Sequence, residues 1–387
     1  GDVIINSGGI LTASATSSFT VGGNWSNSGT FTHSNGTITF DAAWLTGWSY
    51  RKKHVINPAS GAGTNYQIKI VVHKDTGTDS GEDVYVGTNV RDDFGDVRFT
   101  DDDGVTLLDY WMEEYSSGVS ATFWVEVADD LSSNPATIYI YYGKSDATTT
   151  SNGANTFIFF DDFEDGDIAG WTDYGSGTCV YDTDASQGGV IKKTSNNDPN
   201  GCYAALGQTI SSFRAVFLTN RINTNGGALD RYSLGGTTSC EGYGPRKQTN
   251  STADDFYIEE RDSTCGATTV ASTTHTSDQN TWYKQVFTYY NQNMTYTLYD
   301  MSGSQIQSIS GSDSTYTSFA YFFIHGGYEF LTDEIRVMKY VDPEPSHGGW
   351  GSEETAPPRT ISDGDSPFYD IVFNSSTGEW LYQDGSS

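Results

Sequence analysis

The chain has 387 residues, with 50 acidic and 20 basic side chains and a formal net charge of −30. This balance leaves no basic surface to neutralise phosphates, which excludes nucleic acid as a partner and disfavours acidic membrane surfaces. Its apolar runs are too short to cross a bilayer, so direct membrane insertion is not expected. The length exceeds the roughly 250–300 residues at which one core stops growing, which predicts two or three domains.

The first 43 residues are almost uncharged and rich in Ser, Thr, Asn and Gly. GG and SG turns recur at a spacing of roughly eight to ten residues, which is typical of solenoid rungs or of a meander. So short a segment cannot bury its own apolar face. We therefore expect residues 1–43 to pack against a neighbour, either the next domain or the next molecule.

Residues 44–152 form the second predicted unit, in which β-branched and aromatic residues alternate with polar ones. It contains WLTGWSYRK from Trp44, DDFGDVRF from Asp92, LDYWMEEY from Leu108 and YYGK from Tyr141. These runs resemble a domain of unknown function that recurs in archaeal and bacterial surface proteins. The resemblance implies a β-sandwich, often placed just before a concanavalin-like domain.

Residues 153–345 are expected to form the concanavalin-like domain that follows. They contain FFDDFEDGD from Phe159, a Gly-Trp pair at Gly170 and FLTDEIRV from Phe330. The two ends resemble those of concanavalin-like, or laminin-G-like, jelly rolls, in which the first and last strands lie side by side. The length suits that fold. No stretch longer than about ten residues keeps a helical period, so the whole chain is predicted to be all-β.

Prolines on either side of residue 350 predict an exposed, semi-rigid linker at 346–365. Residues 366–387 then carry two strand-like runs, 368–373 and 379–382. Together with residues 1–43 they resemble the repeats of long bacterial and archaeal surface proteins, as if one repeat were split between the two ends of the chain. We expect the C-terminal strands to complete a sheet or solenoid with the N-terminal segment of a neighbouring copy. The residues predicted to make this contact are Val3, Ile5, Trp25, Phe31, Phe40, Phe368, Ile371, Phe373, Trp380 and Tyr382.

Four cysteines, Cys179, Cys202, Cys240 and Cys265, lie close together in the sequence without a metal-ligand spacing. Two disulfides are the expected use, which implies an oxidising, extracellular compartment. Three connectivities are open, of which Cys179–Cys202 with Cys240–Cys265 is the most local. Four buried free thiols are the alternative.

Acidic residues cluster at the two ends of the predicted jelly roll. They are Asp161, Asp162, Glu164, Asp167, Asp333 and Glu334. If the terminal strands pair, these carboxylates approach one another, and calcium takes six to eight such oxygens. The resemblance to concanavalin-like modules also implies a structural calcium here. The alternative is a solvated acidic edge that discourages aggregation between sheets.

Two further groups of residues bear on glycans. The aromatic residues considered for stacking on sugar rings are Trp25, Trp171, Trp282, Tyr243 and Tyr328. Most such residues are core or cross-strand pairs. The Asn-x-Ser/Thr acceptors for glycosylation are Asn24, Asn35, Asn250, Asn293 and Asn374.

Hydrolysis of glycosides needs two carboxylates that flank one bond. The adjacent pairs Glu113/Glu114 and Glu259/Glu260 are the candidates, but neighbouring residues of a strand point to opposite faces. No metal-ligand, nucleophile-elbow or phosphate-loop motif is present, so we do not expect an enzyme. The first hypothesis is a structural subunit of an extracellular filament or fibrous adhesin that assembles head to tail. The alternative is a calcium-dependent carbohydrate-binding surface protein.

Overall fold

A computed structural model of the chain describes residues 3–13, 19–21, 25–32, 38–40, 44–176, 178–194, 198–222, 228–249, 254–275, 277–356, 359–363 and 380–384. These residues form β-strands and one short helix, which confirms the all-β prediction.

The N-terminal segment forms two rungs of a β-solenoid. Its strands are β1 (Val3–Ile5), β2 (Ile10–Thr12), β3 (Phe19–Val21), β4 (Trp25–Asn27), β5 (Thr30–Thr32) and β6 (Ile38–Phe40). The pairs β1–β4, β2–β5 and β3–β6 are all parallel, so each strand lies on the equivalent strand of the next rung. Ile5, Ala13 and Val21, spaced eight residues apart, are buried along this segment.

Two facing sheets form the first sandwich. Its strands are β7 (Tyr50–Asn57), β8 (Tyr66–His73), β9 (Asp83–Tyr85), β10 (Arg98–Thr100), β11 (Tyr110–Ser116), β12 (Ser120–Val127) and β13 (Ala136–Tyr142). One sheet contains β10-β13-β7, and the other has the order β11-β12-β8-β9. The inward residues of the alternating strands, such as Ile70, Phe123 and Ile138, form one continuous core.

The second sandwich is the predicted concanavalin-like jelly roll, and it follows the helix α1 (Gly153–Thr156). Asn152 caps that helix by accepting a hydrogen bond from the Asn155 backbone N–H. The strands are β14 (Phe159–Asp161), β15 (Trp171–Tyr174), β16 (Cys179–Asp184), β17 (Gly188–Lys193), β18 (Gly201–Ile210), β19 (Phe213–Arg221), β20 (Ala228–Gly235), β21 (Gly242–Thr249), β22 (Asp254–Arg261), β23 (Ala267–His275), β24 (Trp282–Tyr290), β25 (Asn293–Asp300), β26 (Gln305–Ser312), β27 (Phe319–Gly327) and β28 (Phe330–Met338).

We call the sheet with the order β15-β18-β27-β20-β21-β22-β23 the front sheet. The back sheet has the order β16-β17-β28-β19-β24-β25-β26, with β14 paired to β28. The antiparallel β14–β28 pair joins the first and last strands of the jelly roll, as the sequence predicts. Aromatic side chains from both sheets, including Phe217, Tyr232 and Phe322, fill the space between them.

The predicted linker 346–365 is in large part strand. Its strands are β29 (Ser346–Trp350), β30 (Glu354–Thr355) and β31 (Arg359–Asp363). Both β29 and β30 pair antiparallel with β7, so residues 346–355 belong to the first sandwich. The linker prediction failed because the run SHGGW lacks β-branched residues. Its Gly348 is needed where the strand crosses Val55, since a Cβ there would lie 2.9 Å from the Val55 carbonyl oxygen.

The last strand, β32 (Trp380–Asp384), completes the solenoid within the same chain. β31 pairs parallel with β4 on one side and with β32 on the other, giving the sheet order β1-β4-β31-β32. The C-terminal strands therefore follow the N-terminal rungs directly, and the two sandwiches are inserted between successive rungs. The expectation that a second copy must supply these neighbours is wrong, because a parallel solenoid joins strands that lie far apart in the sequence.

The structure describes the side chains of only some residues that were predicted for assembly. Ile5 is buried, while Val3 and Phe31 are half-buried. Phe368, Ile371 and Phe373 lie outside the described residues, as do the side chains of Trp25, Phe40, Trp380 and Tyr382.

An ion pair between Arg336 on β28 and Glu113 on β11 fastens the two sandwiches together. Arg336 is 2% exposed, with its guanidinium carbon 4.9 Å from the ring centroid of Trp111. The indole N–H of Trp124 donates to Glu113 at 2.8 Å. Burial raises the pKa of Glu113, but Arg336, the hydrogen bond from Trp124 and the charge of Lys284 together lower it more, so the net shift is downward and the carboxylate stays charged.

Candidate functional site

The outward face of the front sheet carries an unusual set of polar side chains. Successive strand residues point to opposite faces, and Tyr232 and Ile324 belong to the core. Their neighbours Arg231 and His325 therefore point outward.

The strand register brings residues that are distant in the sequence into one row. Arg231 on β20 stands opposite His325 on β27 and opposite Arg246 on β21. Arg246 in turn stands opposite Tyr257 on β22.

Glycines take the place of side chains beside this row. Gly244 lies opposite Glu259, and Gly242 lies opposite Arg261. A Cβ at Gly244 would lie 1.7 Å from the Tyr232 carbonyl oxygen, so the close approach of β20 and β21 demands glycine there. Because these positions have no side chains, the long side chains next to them form the surface.

We call Arg231, Arg246, Arg261, Glu259, Asp198 and His325 the arginine cluster. Glu259 is 3% exposed and accepts a hydrogen bond of 2.8 Å from Nε of Arg231 and another of 2.8 Å from Nη1 of Arg246. Asp198 pairs with the other side of the Arg231 guanidinium. Two arginines are thus held in place by two carboxylates.

Arg261 is the member without a close partner. It is 1% exposed, and its Nη atoms lie 3.7 Å from Asp198 Oδ1 and 3.9 Å from Glu259 Oε2. Both distances are longer than a hydrogen bond. Nε, Nη1 and Nη2 of Arg261 have no hydrogen-bond acceptor among the described residues.

The electrostatics of the cluster follow from this burial. Burial, together with the charge of Arg261, lowers the pKa of His325 to about 4, so this imidazole is neutral at pH 7. Burial raises the pKa of Asp198, but His325, Arg231 and Arg261 together bring it well below its usual range. Three guanidinium groups then face two carboxylates, an excess of one positive charge in a chain whose net charge is −30.

Aromatic side chains border the cluster on the same face. Tyr203 lies 5.3 Å from Phe323 and 5.7 Å from Tyr321, measured between ring centroids. The guanidinium of Arg246 lies 4.2 Å from the ring centroid of Tyr257. Tyr203, Tyr257 and Tyr321 are half-buried, so part of each ring is open to solvent.

Two disulfides support this sandwich and confirm the most local pairing. Cys179–Cys202 ties β16 of the back sheet to β18 of the front sheet. Cys240–Cys265 ties the β20–β21 connection to the β22–β23 turn, next to the end of the strand that carries Arg261.

The predicted calcium ligands lie near the β14–β28 pair, but most already accept hydrogen bonds. Asp161 accepts from the indole N–H of Trp171 at 2.7 Å, and Glu164 accepts from the Gly189 backbone at 2.8 Å. Asp162, Asp167 and Asp333 likewise accept bonds from nearby backbone N–H groups.

Burial and neighbouring carboxylates raise the pKa of Asp333 to about 8, and burial raises that of Asp161 to about 6. Burial also raises the pKa of Asp162 and Glu334. Across the described part of the chain, no three acidic, His or Cys side chains are arranged to hold a metal ion. Calcium at these carboxylates stays a prediction.

The aromatic residues considered from sequence for sugar stacking are not the ones on this face. Tyr243 and Trp282 are 0% and 8% exposed, so neither offers a ring to a ligand. Trp171 and Tyr328 are half-buried away from the cluster, and the side chain of Trp25 lies outside the described residues. Sequence reasoning missed Tyr203, Tyr257 and Tyr321, although each occupies an outward position of an alternating strand.

One glycosylation acceptor can be placed. Asn293 is exposed at the β24–β25 turn, where its amide donates to the Asn291 carbonyl at 2.9 Å. Asn24, Asn35, Asn250 and Asn374 lie outside the described residues.

The two carboxylate pairs considered for hydrolysis, Glu113/Glu114 and Glu259/Glu260, have different side-chain directions. Glu259 faces the arginine cluster and Glu260 the opposite side, as alternation predicts. Glu113 sits in a β-bulge between Met112 and Glu114, so alternation fails there and both glutamates border the groove between the sandwiches.

The described residues contain no helix of sufficient length and apolarity for a membrane span.

Comparisons with known proteins identify related regions. A family model described as a domain of unknown function (DUF2341) matches residues 93–173. An uncharacterized protein of Methanocaldococcus jannaschii is 27% identical over 191 residues, which are 48% of this chain and 19% of that protein. The chain thus spans about a fifth of the length of this curated relative.

Among solved structures, a carbohydrate-binding module, CBM66 from Bacillus subtilis, is 13% identical with a TM-score of 0.35, covering 44% of this chain and 97% of the module. Lectin II from Ulex europaeus is 11% identical with a TM-score of 0.35, covering 46% of this chain and 97% of the lectin. The family model spans the end of the first sandwich and the beginning of the jelly roll, so this chain is similar to that family across the junction of its two sandwiches.

Proposed function

We propose that the chain is a non-catalytic carbohydrate-binding part of an extracellular protein, and that the outward face of the front sheet is its binding surface. One observation carries this proposal. Half-buried tyrosines border a glycine-containing part of the sheet on which arginines and carboxylates are fixed by hydrogen bonds.

This combination suits a sugar. The ring carbons of a sugar pack on aromatic faces, while its hydroxyls need donors and acceptors that already have fixed positions. Tyr203, Tyr257 and Tyr321 supply the faces. Arg231 and Arg246 supply N–H donors that Glu259 holds in place, so little ordering is required when a ligand binds.

The chemistry of the cluster favours binding over hydrolysis. A general acid needs a raised pKa, whereas the surrounding cations bring the pKa of Asp198 well below its usual range. Glu259 is the other carboxylate of the cluster, and it is occupied by Arg231 and Arg246. We therefore assign both carboxylates to positioning the arginines.

The extracellular location rests on the two disulfides, which form and persist in oxidising compartments. Assembly by exchange of the C-terminal strands between copies is not part of this proposal. β31 pairs with β4, and β32 pairs with β31, within one chain, which removes the reason to expect that a second copy supplies the contact.

A glycan array probed with the purified chain tests the proposal. We expect binding to a subset of glycans, weakened about tenfold or more by the double substitution Tyr203→Ala with Tyr321→Ala, because both ring faces are lost. The control is Tyr115→Ala, which removes a tyrosine that is 51% exposed on the first sandwich. Repeating the array with EDTA tests the predicted calcium dependence. Absence of binding to every glycan, or equal loss in the control, would refute the proposal.

A further inference from the structure

We infer that the ligand of this face is an acidic sugar and that its carboxylate binds to Arg261. This inference rests on the proposed function and narrows it to one class of carbohydrate, the uronic acids and related sugar acids. It starts from the unsatisfied guanidinium of Arg261, which is buried at the end of β22.

An unpartnered buried cation is costly to the free protein. A guanidinium has five N–H donors, and burying a charge without hydrogen bonds is unfavourable. Arg261 nevertheless lies at 1% exposure with its nearest carboxylate oxygen 3.7 Å away. Burial and the charge of Arg231 lower its pKa more than Asp198 and Glu259 raise it, so these two carboxylates offset its burial only in part. A ligand oxygen would supply that compensation.

The other charged groups of the cluster are already paired with one another, so Arg261 is the group that would bind a ligand oxygen. Glu259 is shared between Arg231 and Arg246, and Asp198 pairs with Arg231. The cluster therefore has one more cation than it has anions, and the cation without hydrogen bonds is Arg261. A single negative charge on a ligand would make the cluster neutral.

The shape of the site favours a carboxylate on a sugar ring. A planar guanidinium fork binds a planar carboxylate through two parallel hydrogen bonds. Gly242 lies directly opposite Arg261 and contributes no side chain to this part of the face. Entry is from the side of Arg246 and Asp198, whose side chains are 16% and 25% exposed. In this arrangement Arg261 lies beneath the carboxylate of the ligand, and the tyrosines lie beside its sugar ring.

Isothermal titration with three matched probes tests this inference. The probes are tri-galacturonate, its methyl ester and the corresponding neutral galactose trimer. We expect the acid to bind about tenfold or more tightly than either neutral probe. Arg261→Met should abolish that preference. The control is Arg91→Met, which removes a half-exposed arginine paired with Asp93 on the first sandwich.

Stability measurements separate a binding role from a structural one. Arg261 is held by two ion contacts of 3.7 and 3.9 Å and by no hydrogen bond among the described residues, so Arg261→Met is expected to fold with only a small decrease in the thermal midpoint. Arg261→Lys provides a second variant that keeps the charge but loses the planar fork. It should fold and lose most of the preference for the acid.

The possible results distinguish a failure of this inference from a failure of the proposed function. Equal binding of the acid and its ester, or an unchanged preference in both Arg261 variants, would overturn the inference and leave the proposed function standing. Tighter binding of a sulfated galactose trimer than of tri-galacturonate would replace the carboxylate with a sulfate ester. Failure of the wild-type chain to bind any glycan would overturn both proposals.

Discussion

At the scale of single residues, the jelly roll buries more charge than an all-β core usually does. Lys247 and Asp230 of the front sheet form an ion pair of 3.0 Å inside the sandwich, with each side chain 1% exposed. The ammonium of Lys247 also lies 4.9 Å from the ring centroid of Tyr283. Such a pair adds little net stability, but removal of one partner leaves a buried charge uncompensated.

We predict that Lys247→Met lowers the free energy of unfolding by about 3–5 kcal/mol, because Asp230 then stays buried without a cation. Urea denaturation of the purified variant measures this loss. Combining Lys247→Met with Asp230→Leu should recover most of the stability, since both charges are then absent. A loss below about 1 kcal/mol in the single variant would contradict the prediction.

At the scale of elements, β29 closes the first sandwich through a contact between two histidines. Nε2 of His54 on β7 lies 2.9 Å from Nδ1 of His347, and Trp350 stacks on the His54 ring at 3.7 Å between centroids. Burial, with the neighbouring His347, lowers the pKa of His54 to about 3, and burial lowers that of His347. The folded chain therefore resists protonation at this contact.

The sign of the pH effect follows from the lowered pKa. Below pH ~6.5 the unfolded chain takes up a proton at His54 that the folded chain refuses, so stability falls as the pH drops from ~6.5 towards 3. We predict that the unfolding free energy falls by up to about 2–3 kcal/mol from this residue between pH 7 and 4.5. His54→Phe should reduce that fall, as measured by urea denaturation at both pH values. The same fall in the variant and in the wild type would contradict the assignment to His54.

The sequence predicted some elements well and missed others for physical reasons. Period-two alternation is a short-range signal, and the all-β class was predicted from it. The four cysteines predicted two disulfides with three connectivities open, and the structure has the most local one. The arginine cluster has no local motif, because its members range from Asp198 to His325 and meet only through the strand register. The strand β29 was missed because its glycines resemble a linker.

At the scale of the whole molecule, the sandwiches are joined by Arg336 and Glu113, and the rungs of the solenoid lie outside them. We predict that Glu113→Ala costs about 3–5 kcal/mol, because Arg336 loses its buried partner between two tryptophans. Calorimetry should show the two sandwiches unfolding in better separated transitions. Glu114→Ala, at an exposed neighbouring position, is the control. An equal effect of the two substitutions would show that the ion pair does not fasten the domains.

The solenoid leads to a prediction about association. Because β31 and β32 continue the rungs of their own chain, we expect residues 1–387 to sediment as a monomer at micromolar concentration. Deletion of residues 366–387 should destabilise the solenoid and leave the sandwiches folded, as followed by circular dichroism on heating. Concentration-dependent fibres of the full chain that disappear on this deletion would instead support strand exchange between copies.

The central claim is that the outward face of the front sheet binds a sugar, and a crystal structure of the chain with tri-galacturonate tests it most directly. The account predicts a sugar ring beside Tyr203, Tyr257 or Tyr321, with its carboxylate within hydrogen-bonding distance of the Arg261 guanidinium. A trimer bound at the groove between the sandwiches or at the acidic β14–β28 edge, with this face empty, would contradict it.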